Sequence, residues 1–184
     1  MKATRHVYRF LLALFVALSL TPITAFAEVA SQQNDAEIDI PIITVDNAME
    51  AQSILESQST ASEISAQAVA IHVNPVVIRS GFSTHCELYL RWSSADLINS
   101  FRAKNIRISA QGLLNPTEYA SWGDGVSYRY YGFTAANAGS KFVGGFSIPT
   151  DVSTVRFTAV DFQAFDMRLA TWVSSSISTP VAVN

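Results

Sequence analysis

Six aromatic residues crowd a stretch of fifteen positions, Tyr119, Trp122, Tyr128, Tyr130, Tyr131 and Phe133, around the turn signal Gly123-Asp124-Gly125. Rings with polar tips, carried on a loop and its adjoining strand, offer flat apolar faces suited to stacking on sugar rings or settling at a lipid interface. Asp124 and Arg129 add charged hydrogen-bonding groups beside them. The ligand-binding residues expected from this pattern are Tyr119, Trp122, Asp124, Arg129 and Tyr131. Strand alternation sets a competing arrangement, in which Tyr128 and Tyr130 take one face, Arg129, Tyr131 and Phe133 take the other, and half of the rings pack a core.

Catalytic chemistry has weaker support. His85 and Cys86 are adjacent, and a thiol beside an imidazole can be a nucleophile with its base. Neighbours on a strand point to opposite faces, however, so Cys86 is expected in the core and His85 in water. His85 and Glu87 share a face, but a zinc site takes about three or four ligands, and His72 is the only other histidine after residue 27. The acids of the second half, Glu87, Asp96, Glu118, Asp124, Asp151, Asp161 and Asp166, mostly adjoin turn signals, where Asp serves the backbone. Ser-x-x-Lys, Gly-x-Ser-x-Gly and His-Glu-x-x-His do not occur after residue 27. No catalytic residue, metal site or cofactor is expected.

The elements that position these residues read as β from residue 67 onward. In residues 85–92, Cys86, Leu88, Leu90 and Trp92 alternate with His85, Glu87, Tyr89 and Arg91 in period two. Leu97, Ile98 and Phe101 recur at three and four, and Ser93 and Asp96 have capping spacing, which predicts a helical turn there. Further strands are expected at 70–79, 104–110, 127–134, 142–148, 155–162, 165–173 and 181–183. Turn signals at Ser80-Gly81, Asn115-Pro116, Gly123-Asp124-Gly125, Ala138-Gly139 and Pro149-Thr150-Asp151 separate them. Short strands without long helices between them predict an all-β antiparallel β-sandwich over residues 67–184. The pattern resembles immunoglobulin and fibronectin type III modules in a generic way, with a jelly roll as the alternative. No motif of these families is present, and a single cysteine cannot make the Cys…Trp…Cys core of an immunoglobulin domain.

The first part of the chain differs in kind. Lys2, Arg5 and Arg9 precede an apolar run from Phe10 to Leu20, and Ala25-Phe26-Ala27 offers a small-x-small cleavage site, so residues 1–27 read as a secretory signal peptide. The run is shorter than the roughly 20 residues a spanning helix needs, so no stable membrane insertion is expected after cleavage. Residues 28–66 hold Glu28, Asp35, Glu37, Asp39, Asp46, Glu50, Glu56 and Glu63, no basic residue and no aromatic one. That composition reads as a flexible acidic tail or propeptide. One short helix is expected within it, because Asn47 and Glu50 have capping-box spacing and Met49, Ala51, Ile54 and Leu55 form a short apolar stripe.

From residue 67 onward nine basic residues face seven acidic ones, too balanced and too scattered for a nucleic-acid-binding face. One cysteine, no glycosylation sequon with a permissive middle residue and an export signal point to a secreted protein of a bacterium. The function expected is non-catalytic binding of a cell-surface polymer or glycan through the aromatic patch. A membrane-active toxin or bacteriocin-like effector and a secreted hydrolase are the alternatives. If the export reading holds, intact-mass analysis of culture supernatant finds a mature chain starting at Glu28; a full-length precursor confined to membranes would contradict it.

Overall fold

The computed structural model describes residues 35–57, 71–112 and 116–178. The signal-peptide segment and the strand expected at 181–183 lie outside them. The chain is mostly β-strand with one short helix. In order these are β1 (Ala36–Val45), α1 (Ala48–Ser57), β2 (His72–Ser80), β3 (His85–Ala103), β4 (Asn105–Ser109), β5 (Glu118–Gly123), β6 (Arg129–Ser147), β7 (Thr154–Val160), β8 (Gln163–Asp166), β9 (Thr171–Ser174) and β10 (Ser176–Ile177). The hydrogen-bonded order is β5-β4-β7-β1-β2-β3-β8-β9, with β6 on β3 and β10 on β2. β1 pairs with β2 in parallel, as does β10, so the sheet is mixed rather than purely antiparallel.

β1 corrects the tail reading for residues 36–45. It pairs antiparallel with β7 from Ala36 to Pro41 and parallel with β2 from Ile42 to Val45. Ile38 and Ile40 turn inward, and Ile40 is fully buried. Two of the acids that made the segment look like a tail, Glu37 and Asp39, stand on its other face, where Arg156 of β7 meets Glu37 at 2.8 Å and Asp39 at 3.1 Å. They are cross-strand partners. α1 follows with the expected cap: the Glu50 N–H donates to Asn47 Oδ1 at 3.0 Å, and the Asp46 N–H donates to Glu50 Oε2 at 2.9 Å. Ala51, Ile54 and Leu55 of α1 pack on Val45, Val76 and Ile78, while Met49 faces solvent.

β3 corrects the helical turn expected near Ser93. The strand runs on through residue 103, with register shifts against β6 between Ser93 and Ile98 and between Ile98 and Ser100. These irregularities change the phase of alternation, so Ile98 and Phe101 both point inward while Leu97 lies 51% exposed. A phase change within a strand reproduced a spacing of three and four. β6 corrects the turn expected at Ala138-Gly139, since it is one strand across both residues. Gly139 serves close approach there: a Cβ on it would come 2.8 Å from the Trp92 ring. The strand expected at 165–173 is instead β8 and β9 joined by a turn.

A single buried cluster takes Ile106, Ile108, Val155 and Phe157 from β4 and β7 and Leu88, Leu90, Trp92 and Phe101 from β3. Its aromatic centre is tight, with Trp92 and Phe133 centroids 4.2 Å apart and Phe101 5.0 Å from Phe133 and 5.3 Å from Phe162. β5, at one end of the strand order, comes back against β6, where Trp122 meets Phe146 edge-on at 5.8 Å. Replacing Ile40 with Ala should cost about 2–5 kcal/mol of stability in urea unfolding, as for other fully buried Ile. Met49→Ala on the same segment should stay within about 0.5 kcal/mol. Equal, small effects would mean that β1 is not part of the cooperative fold.

Candidate functional site

The expected binding residues divide by burial. Tyr131 is 5% exposed, and burial pushes its phenol up to about 12. Trp122 and Tyr119 are half-buried against the core cluster, so these three rings do not form an exposed patch. The Trp122 ring covers Gly144 closely enough that a methyl group there would collide with it. Turn residues rarely bury a large ring, but Trp122 belongs to β5 rather than to the turn after it, and Ile106 of β4 is its register partner.

Asp124 and Arg129 are exposed. Asp124 is spent on its own loop: the N–H groups of Ser127 and Val126 donate to its Oδ1 at 2.7 and 2.8 Å and hold the carboxyl below the usual carboxylate range. The Arg129 guanidinium lies 5.8 Å from the Tyr131 ring centre, near the outer limit for cation–π attraction. Trp122, Arg129 and Tyr131 are thus neighbours, and the Tyr131 hydroxyl reaches the Trp122 carbonyl only at 3.5 Å. Among the described residues no three His, Cys, Asp or Glu side chains gather as metal ligands. The His85-Cys86 pair is split as the strand period requires, with His85 exposed and Cys86 buried. Burial raises the Cys86 thiol against the opposing effect of Arg79.

The same aromatic segment builds a different surface from its other face. Register places Arg102 of β3 between Tyr130 of β6 and Gln163 of β8, outside the layer formed by Phe101, Tyr131 and Ala164. Tyr128 and Trp172 clasp the Arg102 guanidinium, with ring centres 4.1 and 4.4 Å from Cζ. Arg102 Nε and Nη2 both donate to Gln163 Oε1. Tyr130, 60% exposed, meets Trp172 at 5.6 Å, and Phe165 meets it at 5.3 Å.

The margin of this surface is fixed by Asp161. The Tyr128 hydroxyl donates to Asp161 Oδ2, and Lys104 Nζ lies 3.1 Å from the same oxygen. Burial alone would push Asp161 up, but these hydrogen bonds and the nearby Lys104 and Arg102 charges hold it below the usual carboxylate range. Tyr128 is raised in turn, by burial and by its bond to Asp161. Tyr128 and Tyr130 were visible as one face of the alternating segment. Arg102, Gln163 and Trp172 lie far from it in sequence, and only strand register brings them in.

Comparison of the chain with protein-family models, curated proteins and solved structures finds no match. The site therefore rests on its own geometry. Trp122→Ala should cost on the order of 2–3 kcal/mol of stability, about half the ring's 150–250 Å² at 25 cal/mol per Å². Gly144→Ala should destabilise the parent but have little further effect in the Trp122→Ala background. Additive losses in urea unfolding would show that the ring does not sit on Gly144.

Proposed function

We propose that the chain is a secreted bacterial β-sandwich that acts by binding, and that it holds a sugar polymer on the outer face of β3, β6, β8 and β9. Export and source rest on the sequence of the first 27 residues, the single cysteine and the missing sequon. The sandwich reading is supported by the burial of β4 and β7 residues in one cluster with those of β3, and by the return of β5 onto β6.

The observation that carries the binding site is the row Tyr128, Arg102, Trp172, Tyr130. A guanidinium clasped between two rings and tied to an amide oxygen has few alternative positions, so the rings around it are held in place before any ligand arrives. Exposed aromatic groups in a cluster mark interaction surfaces. A pyranose ring presents an apolar C–H face and a belt of hydroxyls; Tyr130 and Trp172 meet the first, and the edges of Arg102 and Gln163 meet the second.

Tyr130→Ala, at the exposed ring, should weaken retention on insoluble polysaccharide by about 1–3 kcal/mol, the range of an aromatic anchor, while urea unfolding changes little. Trp172→Ala, at a half-buried ring, should weaken retention and lower stability as well. Depletion isotherms over a panel of neutral and acidic polysaccharides provide the measurement. Binding by the parent that survives unchanged in both Trp172→Ala and Tyr130→Ala would remove this face from the function.

A further inference from the structure

A second constellation occupies the other end of β3. His85, Glu87 and Tyr89 alternate along the strand and share its outer face. The Tyr89 hydroxyl donates to Glu87 Oε2 at 2.7 Å, and His85 Nε2 stands 3.9 Å from Glu87 Oε1. α1 borders this face, and a groove of about 570 Å³ opens between helix and strands. That volume lies within the range of small-molecule pockets.

The walls of the groove differ in chemistry. Val45 and Ile78 are buried hydrophobic residues at its base, and Ala51 and Leu55 supply the helix side. Among the described residues no Lys or Arg lines it, whereas the carboxylates of Glu56 and Glu87 do. Glu87 is held in one orientation by the Tyr89 hydroxyl, a neutral donor. Burial and that same bond push the Tyr89 phenol up to about 12, so it remains a donor at ordinary pH. An oriented carboxylate beside low-dielectric walls, with the exposed His85 imidazole 3.9 Å away as its one basic neighbour among the described lining residues, favours a positive group more strongly than the same carboxylate in open water. The apolar base favours a hydrocarbon chain attached to that group.

We propose that this groove binds a small alkylammonium, with the cationic head on Glu87 and the chain along Val45, Ile78, Ala51 and Leu55. The site is separate from the aromatic face at Arg102, and neither depends on the other. The enclosing helix and the size of the groove fit one free molecule of this kind rather than a protein surface.

Titration of the isotopically labelled full chain with n-octylammonium, followed by amide NMR, tests the site. Saturable shifts should appear at Ala51, Ile78 and Glu87. Glu87→Gln, which keeps the acceptor for Tyr89 and the side-chain volume, should weaken binding about tenfold or more, the scale of a charge-assisted contact. Ala51→Phe, which fills the groove from the helix side, should weaken it as much without removing charge. Octanoate and Nα-acetyl-lysine methylamide should bind at least about tenfold more weakly than octylammonium, the first for its charge and the second for its short chain. Any one of three results would overturn the proposal: octanoate as tight as octylammonium, acetyl-lysine methylamide as tight as octylammonium, or Glu87→Gln as tight as the parent.

Discussion

β1 is hydrogen-bonded to different partners at its two ends, and this double pairing joins the two halves of the sheet. Through Pro41 it belongs to the group of β7, β4 and β5; from Ile42 it belongs to β2 and the long strands beyond. Proline cannot donate to a ladder, and it stands at the point where the partner changes. The Ile42 N–H, immediately after it, still reaches the Ser153 carbonyl at 2.8 Å. Ile40, just before the change, is fully buried in the common cluster. Apolar contact and backbone pairing therefore coincide at the strand where the two groups meet.

The outer aromatic row inherits its order from the core beneath it. Along β3, Phe101 is fully buried and Arg102 is its outward neighbour; along β6, Tyr131 is buried and Tyr130 is outward. A strand fixed by its inward side chains has its outward ones fixed as well, because the pleat leaves one direction for each. Close-packed interiors transmit such constraint. Of the rings around Arg102, Trp172 and Tyr130 are presented by strands and spaced by the sheet, while Tyr128 lies one residue before β6 and is held by its bond to Asp161.

Much of the β content was legible in the sequence, and the illegible parts have identifiable causes. Cys86 to Trp92 alternate in plain period two, and the structure buries Cys86, Leu88, Leu90 and Trp92. The α1 cap was equally readable, because Asn47 and Glu50 act locally. Three features misled. The acids of β1 resembled solvated tail until Arg156, more than a hundred residues away, supplied their partner. The irregularity after Ser93 resembled helical spacing. Gly139 resembled a turn because a close approach by Trp92 leaves no trace in the neighbouring residues. The proposed surface was half visible: Tyr128 and Tyr130 stood on one face of the aromatic segment, but which of its faces is open depends on register with β3, and Arg102, Gln163 and Trp172 enter only through that register.

The pairing of β1 also fixes a timetable. β1, the first strand among the described residues, needs, as one of its neighbours, a strand that ends at Val160. Until that residue exists the earliest segment has nothing to close against on one side, and contacts between such distant parts of a chain form slowly. Until then that edge of β1 is open to the wrong neighbours, although β2, β3 and β6 already hold the residues they need to pair with one another. The two groups of strands can close into one sheet only once β7 has been made.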